Sequence, residues 1–588
     1  MATSGQVTGA GQGTAAPTAD PGAAGPAAHT DAADPAVAAD PTVAADHAGR
    51  PADPEPGDSG APSADPAATS PDSAADDSAT DPDLATDPAL ATGPAPDSRR
   101  DRRRAWIVIA LGFLAARVVL WTSGTRFSTA LLRYPSLWHL LDEEYLRHHP
   151  FGALWDQHTQ PPLFNVLIGV VLRWSPAPEG ISFQVVWAAF ALVAALALYE
   201  VLRGFGCRWW VAVATTVFVF SDPGLIEYEH TLTYECAELA LILGTVWACQ
   251  RYAHQPTLKR LAVFAGVGTT LVLTRALFHP LWLAVALGLV LAIRPPRADW
   301  RRTALVLCVP LILVVGLMAK NQVRFDTFAL SSWFGMNLER AAVNSLPPED
   351  VQQLIDDGTL SPQAVLPAFS SYDHYVPYAE PCDPHYGSTV LDDADKSEGT
   401  MNPNYACYLP LYDQAQKDAI AAIRARPGEY LTTLRGNTLT FFHDPMVIRV
   451  RLYTLGNVLT RTHAIVGLEV PATAHFNYFD VDLRIRLTAV IAVLGLLGAG
   501  IVAAVRALRG QRTPAVATTL FVGFTILFAS LSAILFDIFE TARFRVPLDP
   551  ILYGAVLAFL LEAVARGIAR ARLTRAGRST GPSPEPSG

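Results

Sequence analysis

The stretch RRDRRRAWIVIALGFLAARVVLWT, residues 99–122, decides the fold class of this 588-residue chain. Five arginines precede an apolar run over 105–122, and a hydrocarbon core of roughly 30 Å asks for about 20 apolar residues in a helix. The run therefore predicts a transmembrane helix. Because Lys and Arg are in excess on the cytoplasmic flanks of such helices, the arginines predict a cytoplasmic N-terminus.

Nine further apolar stretches follow, and with the first they make ten candidate spans, two of them short. They cover residues 181–202, 209–221, 233–250, 261–278, 280–293, 303–319, 485–505, 514–536 and 547–565. An eleventh stretch, 161–174, is too brief to cross a bilayer without its flanks. The sequence thus predicts an all-α polytopic membrane protein with about ten to eleven transmembrane helices.

If 161–174 only dips into the bilayer, the basic clusters after the first helix all lie on the cytoplasmic side of the membrane, as the first five arginines do. The clusters are Arg203 with Arg208; Arg251, Lys259 and Arg260; Arg294, Arg297, Arg301 and Arg302; Arg506, Arg509 and Arg512; and Arg566, Arg570 and Arg572. A spanning 161–174 would turn every later cluster outward unless another short segment failed to cross, so we prefer partial insertion. The outward segments are then 123–180, 221–232, 276–280, 320–484 and 537–546.

Residues 1–98 differ from the rest of the chain in composition. They are rich in Ala, Asp and Pro, contain no aromatic residue, and hold sixteen of the 54 acidic residues with one Arg. Such a segment cannot bury enough apolar surface to fold, so it is predicted to be a disordered cytoplasmic tail. The remaining chain has 43 basic against 38 acidic residues, and nothing in it predicts a nucleic-acid partner. The Ala/Asp/Pro usage is typical of a GC-rich bacterial gene, which together with the spans predicts a bacterial plasma-membrane protein.

The predicted spans divide the chain into units. These are an N-terminal transmembrane catalytic module, 99–319, with its outward loop 123–180; an extracytoplasmic loop domain, 320–484; C-terminal transmembrane helices, 485–566; and a basic cytoplasmic tail, 567–588.

In the loop domain, 347–358 and 413–437 predict helices, the second from its apolar periodicity. Cys382 and Cys407 share this loop, and a disulfide and two separate thiols both stay open. The sequence contains no CxxC pair, so its cysteine spacing does not predict a zinc site.

The first outward loop carries Asp142, Glu143 and Glu144 directly after an amphipathic stretch, 130–141. A solvated acidic turn is the ordinary interpretation of such a triplet. Its position near the membrane face favours a functional one, as do three histidines and a Pro-Pro pair that follow. The histidines and prolines are His148, His149, His158, Pro161 and Pro162.

Further charged residues gather at the outer ends of other spans. They are Glu227, Glu229, His230, Glu235, Glu238, Arg275, His279, Lys320, Glu540, Arg543 and Arg545. A carboxylate within a span costs about 2–3 kcal/mol at mid-membrane and so indicates function, although the cost is smaller near the edge. A lone Arg at a helix end usually snorkels to the interface. Together the residues predict one outward, membrane-level site, with carboxylates as a candidate base and cations as a candidate phosphate clamp.

These residues resemble the motifs of the GT-C-fold glycosyltransferases, the superfamily that includes protein O-mannosyltransferases and the lipid A aminoarabinose transferase. The family's acidic pair in the first outward loop is matched by Asp142 and Glu143, with Tyr145 after them. Its Lys- or His-Pro-Pro-Leu motif is matched by QPPL (160–163). Gln160 carries no charge, and His158 would substitute for the charged residue.

Other motifs of the superfamily lie further along the chain. An EYARLxRxD-type stretch is similar to the segment from Glu227 to Glu235, and a family Lys corresponds to Arg275 in LTRALFHP. The late Arg-x-x-Pro-x-x-Pro region is similar to RFRVPLDP (543–550). The resemblance covers roughly 105–345 and 485–565.

The resemblance implies that a sugar passes, with inversion, from a polyprenyl-phosphate donor to an acceptor hydroxyl outside the cytoplasm. Asp142, with Glu143, would form the catalytic pair, Asp142 being the general base. The acceptor would be a protein, a polysaccharide or a glycolipid. Substrate and phosphate binding would fall to His158, Gln160, Glu229, His230, Glu235, Arg275, Lys320, Arg543 and Arg545.

Some members of the superfamily hold a divalent metal with acidic residues of this kind. Here Glu143 with Glu229 or Glu235 would do so, but the resemblance favours a metal-free site with no cofactor beyond the lipid-linked donor.

Three other functions compete with this interpretation. A transporter or flippase of lipid-linked sugars would use the same phosphate clamp, but the chain lacks a second half resembling the first. A non-catalytic scaffold for cell-envelope assembly would not need Asp142. A membrane acyltransferase would need a histidine deep within a span, and none of the fourteen histidines lies there.

Overall fold

A computed structural model of the protein describes residues 99–133, 139–175, 177–443, 454–538 and 540–579. The predicted disordered tail, 1–98, lies outside these ranges, as do residues 580–588 of the predicted basic tail. The first outward loop is described except for 134–138 and 176.

Eleven helices precede the large loop. They are α1 (Arg99–Thr122), α2 (Glu143–His148), α3 (Ala153–Asp156), α4 (Leu163–Trp174), α5 (Glu179–Gly204), α6 (Trp209–Val219), α7 (Pro223–Glu229), α8 (Glu235–His254), α9 (Leu258–Thr274), α10 (Pro280–Ile293) and α11 (Trp300–Phe325).

The large loop and the C-terminal region contain eleven more. They are α12 (Phe334–Ala342), α13 (Pro348–Asp356), α14 (Tyr372–Tyr375), α15 (Thr389–Asp392), α16 (Leu409–Ala425), α17 (Pro427–Phe441), α18 (Thr454–Gly467), α19 (Leu487–Leu508), α20 (Pro514–Phe536), α21 (Thr541–Arg545) and α22 (Asp549–Ser579). Short 3₁₀ turns occupy Ala130–Arg133, Pro362–Val365, Ala406–Tyr408 and Val546–Leu548. An antiparallel hairpin of β1 (Glu469–His475) and β2 (Asp480–Arg486) pairs Glu469 with Arg486 and His475 with Asp480.

Six helices in the described part of the chain are long and apolar enough to cross a membrane. They are α1, α5, α11, α19, α20 and the stretch Thr541–Arg572, which joins α21 to α22. The pair α6 and α7, bent by 67°, would make a seventh. The chain is therefore a multi-pass membrane protein, whereas the predicted count of ten to eleven spans is not confirmed.

The remaining predicted spans are helical but short or polar at their ends. The helix α9 has 17 residues and α10 has 14, so α10 is about 21 Å long. The polar residues Glu235, Glu238, Gln250 and Arg251 lie near the two ends of α8. The helix α4 has 12 residues, about 18 Å, which agrees with the expectation that 161–174 is too brief to cross alone.

The helix α8 lies at the centre of the bundle. Fifteen of its twenty residues are buried, and it packs against α5, α9 and α20. A helix that is buried all round needs neighbours on every side, which explains why α8 tolerates two glutamates in its first turn. Those glutamates face other protein groups rather than lipid.

The helices α19 and α20 approach each other at two glycines. A β-carbon added at Gly523 would lie 2.9 Å from the Cα of Gly500. Small residues at such a crossing let two membrane helices come into backbone contact. Gly498, two residues earlier in α19 and on another face of the helix, has open space where its β-carbon would be.

We expect Gly523→Ala to lower the thermal unfolding midpoint of the detergent-solubilised protein by several degrees. The added methyl group forces α19 and α20 apart, and overpacking of this kind costs about 1–3 kcal/mol. Gly498→Ala is the matched control and should leave the midpoint unchanged or raise it, since Ala is the better helix former. Equal midpoints for Gly523→Ala and the wild type would contradict the close crossing.

In the large loop, α13 occupies the predicted helix at 347–358, and the predicted helix at 413–437 is divided. Pro427 starts α17 and interrupts the helical hydrogen bonds of α16, because proline has no backbone N–H to donate the next one. Gly335 of α12 lies so close to the backbone of α16 that no side chain fits between them. Cys382 and Cys407 form a disulfide, with their Cα atoms 5.8 Å apart.

Two of the predicted unit boundaries fall inside helices. The boundary at 319/320 lies within α11, which continues to Phe325 and ends where Asp326 adopts φ 51°. The boundary at 566/567 lies within α22.

Candidate active site

Asp142 caps the N-terminus of α2 and is buried, with 6% of its surface exposed. Its carboxylate accepts the backbone N–H groups of Tyr145 at 2.8 Å and of Ser397 at 2.6 Å, one on each oxygen. Ser397 belongs to the large loop, so this carboxylate joins the two predicted outward segments. Each carboxylate oxygen keeps a further lone pair for another donor.

The backbone before Asp142 is held by Asn165 of α4. The Leu141 N–H donates to Asn165 Oδ1 at 2.9 Å, and Asn165 Nδ2 donates to the His139 carbonyl at 2.9 Å. Asn165 is 1% exposed, and a buried amide with both sides hydrogen-bonded fixes the segment it contacts. The short helix α4 thereby positions both His139 and Asp142.

A cavity of about 660 Å³ lies beside Asp142, and we call it the acidic cavity. Most of its lining comes from α2, α15 and the segment that follows α15. The lining residues are Asp142, Glu144, Tyr145, His148, His149, Thr389, Asp392, Asp393, Ala394, Asp395, Lys396, Ser397 and Asn402.

A largely buried network of ion pairs lies at the N-terminal end of α8. Arg275 Nη1 is 3.1 Å from Glu235 Oε1 and 2.6 Å from Glu238 Oε2. Arg543 Nε is 2.6 Å from Glu235 Oε1, and Arg543 Nη1 is 3.1 Å from Glu540 Oε2. The Arg275 guanidinium also lies over the Tyr234 ring, 3.9 Å from its centroid. The network joins α8, the end of α9 and α21.

Three buried nitrogen atoms around this network have no hydrogen-bond partner among the described residues. They are Arg275 Nη2, Arg543 Nη2 and His139 Nε2. Unsatisfied donors in the interior cost about 1–3 kcal/mol each, so a cluster of them needs an explanation. All three residues line a second cavity of about 640 Å³, which we call the amphipathic cavity.

The amphipathic cavity has walls of two kinds. Apolar side chains come from the membrane helices and the start of α10. Polar or aromatic ones come from the large loop, from Gln160 of the first outward loop and from Asp537 at the end of α20. The apolar set includes Val272, Leu277, Phe278, Leu281, Phe528, Phe536 and Phe544. The polar and aromatic set includes Gln160, Ser331, Ser332, Trp333, Asn337, Arg340, Tyr412, Gln416 and Asp537. Such a space fits a molecule with an apolar chain and a polar, anionic head.

His139 is uncharged in this setting. Burial and, after it, the Arg543 guanidinium lower the pKa of His139 well below its ordinary value. A neutral imidazole beside two arginines adds a hydrogen-bonding group without adding positive charge.

Of the eleven predicted site residues, the structure places four around the amphipathic cavity or its ion-pair network, and Asp142 at the acidic cavity. The four are Gln160, Glu235, Arg275 and Arg543.

Three other predicted residues are engaged elsewhere. Glu143 pairs with Arg147 at 2.6 Å, and Glu229 pairs with Arg117 of α1 at 2.5 Å. The His230 imidazole bonds the Ile226 carbonyl at 2.8 Å.

The remaining three predicted residues, Lys320, Arg545 and His158, hold segments of the chain together. Lys320 Nζ donates to the carbonyls of Trp155 at 3.0 Å and Gln157 at 3.2 Å. Arg545 is fully buried, and its guanidinium contacts Asp549 and the carbonyls of Phe441 and His443.

His158 anchors the first outward loop to the large loop. Its ring bonds Ser332 Oγ at 2.9 Å and the Asn404 carbonyl at 3.0 Å, and Asn404 Oδ1 accepts the His158 N–H. Burial lowers the pKa of His158 to about 3, so the ring is neutral and does not replace the family's charged residue before Pro-Pro-Leu.

No group of three or more His, Cys, Asp and Glu side chains within the described ranges is placed to hold a metal ion. The three carboxylates proposed above as metal ligands each pair with arginine instead: Glu143 with Arg147, Glu229 with Arg117, and Glu235 with Arg275 and Arg543.

Sequence reasoning missed His139, Lys396 and the Arg340–Asp537 ion pair at 3.4 Å. His139 lies three residues before Asp142, and its proximity to the acidic triplet was the available signal. Lys396 lies in a segment without periodicity or a matching motif, so nothing in the sequence singled it out.

The buried, neutral His158 makes the stability of the protein depend on pH. The pKa of His158 is about 3 in the native state and about 6.5 when unfolded, so between these values the unfolded chain binds the extra proton. Its contribution is complete above pH 6.5 and falls as the pH drops. We expect the thermal midpoint to fall between pH 7 and pH 5, and to fall less in His158→Gln.

His148, which is exposed, provides the control for this pH dependence. His148→Gln should keep the wild-type slope of midpoint against pH. Identical slopes for the wild type and His158→Gln would show that His158 is charged in the native state.

No family model and no curated protein matches the chain. Among solved structures, it is similar to the apo oligosaccharyltransferase of Archaeoglobus fulgidus, with 14% identity and a TM-score of 0.35 over 81% of this chain and 52% of the other. It is also similar to ArnT from Cupriavidus metallidurans bound to undecaprenyl phosphate, with 16% identity and a TM-score of 0.29 over 73% of this chain and 77% of ArnT.

The chain spans about half the length of the archaeal oligosaccharyltransferase that it matches. Because the TM-scores are below 0.5, the function is argued from the geometry of the site.

Proposed function

We propose that the protein is a membrane glycosyltransferase that moves a sugar from a polyprenyl-phosphate donor to an acceptor hydroxyl, with inversion. The observation that carries the proposal is a pair of arginines at the wall of an amphipathic cavity, Arg275 buried and Arg543 partly buried. Each has a buried Nη2 without a hydrogen-bond partner among the described residues. Arg275 and Arg543 would bind the phosphate, and the apolar wall would receive the first isoprene units. Asp142 would accept the proton of the acceptor hydroxyl.

The arginines are arranged to bind a phosphate. Guanidinium groups bind phosphate oxygens through parallel N–H donors, and such charge-assisted bonds are about twice as strong as neutral ones. Glu235 and Glu238 hold Arg275 through Nη1, which leaves Nη2 available. Glu540 is 44% exposed at the Arg543 end, and it is the carboxylate that an entering phosphate would displace.

The proposed reaction is a single displacement. The acceptor oxygen bonds to the anomeric carbon as the bond from that carbon to the phosphate oxygen breaks. The proton of the acceptor moves to Asp142, and the leaving phosphate gains negative charge beside Arg275 and Arg543. An alcohol is a poor nucleophile, so a carboxylate within hydrogen-bond reach lowers the barrier. Preorganised cations stabilise the charge of the leaving group in a water-poor site.

The proposed orientation follows from the basic clusters. They place the N-terminus in the cytoplasm and the loops that carry Asp142 and Lys396 outside it. Donor and acceptor would then meet on the outer face of a bacterial plasma membrane.

The phosphate clamp is tested by the affinity of the purified protein for undecaprenyl phosphate. We expect Arg275→Gln and Arg543→Gln each to weaken binding by about 10- to 100-fold, the loss of one or two hydrogen bonds to a charged group. Arg435→Gln, a change at an exposed arginine of α17, is the matched control and should bind as the wild type does.

Removal of either arginine leaves Glu235 less compensated, so folding is checked by the thermal midpoint. Arg275→Lys and Arg543→Lys keep the charge and should retain more binding than the Gln variants. Wild-type affinity in both Gln variants would show that the ion-pair network is structural and would remove the clamp.

The general base is tested by Asp142→Asn. We expect transfer from undecaprenyl-phosphate-linked sugars to membrane acceptors to fall by about 10²- to 10⁴-fold, the contribution of a positioned base. Binding of undecaprenyl phosphate should be unchanged, because Asp142 lies at the other cavity. Glu143→Gln, which removes the carboxylate that pairs with Arg147, should retain transfer. Full transfer by Asp142→Asn would contradict the mechanism and favour a transporter of lipid-linked sugars.

A further inference from the structure

The acidic cavity differs from the amphipathic cavity in its walls. Its lining contains the small apolar residue Ala394 and the Tyr145 ring, and its other members carry carboxylate, amide, hydroxyl, imidazole or ammonium groups. No Val, Leu, Ile, Met or Phe side chain is among the lining residues. With about 660 Å³ of space, the cavity fits a polar molecule of a few sugar rings.

The charge of this cavity is strongly one-sided. Five carboxylates line it against one lysine. Asp393 and Asp395 are exposed, whereas Asp392 accepts the N–H groups of Tyr386 and Ser388 at 2.8 and 2.9 Å. Like charges repel across several ångströms at a protein surface, so an anionic ligand is disfavoured here.

Lys396 is the exception within the acidic lining. It is 7% exposed, and its ammonium group makes no hydrogen bond or ion pair with the described residues. Its backbone is fixed, since its N–H donates to Thr400 at 2.7 Å and its carbonyl accepts Gly399 at 2.8 Å. An ammonium group that opens onto a cavity and has no hydrogen-bond partner among the described residues can donate to an oxygen atom of a ligand.

Lys396 interacts electrostatically with one residue of each cavity, Asp142 at the acidic cavity and His139 at the amphipathic cavity. Burial lowers the pKa of Lys396, and the charges of Glu398 and Asp142 oppose that change. The same ammonium group contributes to the lowered pKa of His139, which lines the amphipathic cavity. Lys396 is therefore near both the proposed base and the proposed donor site.

We propose that the acidic cavity is the acceptor site and that it takes an uncharged, hydroxyl-rich acceptor, a neutral saccharide, through a hydrogen bond from Lys396. The proposal rests on the function proposed above. Lys396 would donate to one hydroxyl oxygen of the acceptor while Asp142 accepts the proton of the reacting hydroxyl beside it. The exposed Asp393 and Asp395 would exclude phosphorylated or carboxylated acceptors by charge repulsion.

A saccharide fits better than the two alternative acceptors. A glycolipid would need large aliphatic side chains along the wall to receive its lipid chain, and none is among the lining residues. A peptide would be expected to use apolar pockets or a free strand edge, and the hairpin β1–β2 does not contribute to the lining. Closely spaced carboxylate, amide and hydroxyl groups suit a ligand with many hydroxyls.

The experiment measures ligand binding to the full chain in micelles, saturated with undecaprenyl phosphate, by saturation-transfer NMR. The probes are neutral tetrasaccharides of glucose, mannose, galactose and arabinose, with tetragalacturonate as the anionic counterpart and a Ser/Thr-rich decapeptide. We expect at least one neutral tetrasaccharide to bind and tetragalacturonate not to bind. Lys396→Met should weaken the neutral ligand about tenfold or more, whereas Lys259→Met, at an exposed lysine away from the cavity, should not.

A second variant tests the negative charge of the acidic cavity separately from the role of Lys396. Asp393→Asn with Asp395→Asn should admit tetragalacturonate and leave the neutral ligand within about twofold. The proposal is overturned if tetragalacturonate binds the wild type as well as the neutral probes do, if the decapeptide alone binds, if no neutral saccharide binds, or if Lys396→Met has wild-type affinity. Binding of undecaprenyl phosphate, measured in parallel, reports on folding and on the proposed donor site, so failure of one proposal is distinguishable from failure of the other.

Discussion

The ion pairs that Arg275 and Arg543 share at Glu235 are the interaction on which the rest of the site depends. They join α8 to α9 and α21 at the N-terminal end of α8, where Glu235 and Arg275 are buried and Arg543 is partly exposed. Buried ion pairs contribute little net stability, because desolvation offsets their attraction, yet the removal of one partner costs about 3–5 kcal/mol. An apolar cluster would hold these helices equally well. The network therefore indicates a function that needs charge at this depth.

The position of the network also determines the shape of the amphipathic cavity. Its arginines lie at helix ends, where the membrane helices give way to α12 and α16 of the large loop. One wall is therefore built from membrane side chains and the other from loop side chains. His158 and Asn404 hold the first outward loop against the large loop, so the cavity keeps its walls without a ligand.

Much of the site could be predicted from the sequence, because membrane topology brings residues at the same ends of different spans together. This placed Glu235, Arg275 and Arg543 near each other, from segments separated by up to 308 residues. The spacing of residues in the sequence cannot show whether the N–H groups of a cation are already hydrogen-bonded to nearby carbonyl groups, as those of Lys320 and Arg545 are. The count of spans was not confirmed, because hydropathy does not distinguish a helix buried in protein from one facing lipid. Lys396 could not be found, because only folding brings its loop to Asp142.

The proposed mechanism needs different charges at the two cavities. Five carboxylates and one lysine line the acidic cavity, whereas three arginines and three carboxylates line the amphipathic cavity. A leaving phosphate is stabilised by cations, whereas a base that takes a proton from a hydroxyl must stay ionised and available. If Asp142 lay against Arg275 and Arg543, an ion pair between them would occupy the carboxylate and the guanidinium groups. The carboxylate could then not accept a proton, and the guanidinium groups could not bind phosphate. The structure keeps them at separate cavities, with neutral His139 on one side and the single ammonium of Lys396 on the other. Asn165 of α4 fixes the short segment between His139 and Asp142, so the separation is a property of the fold.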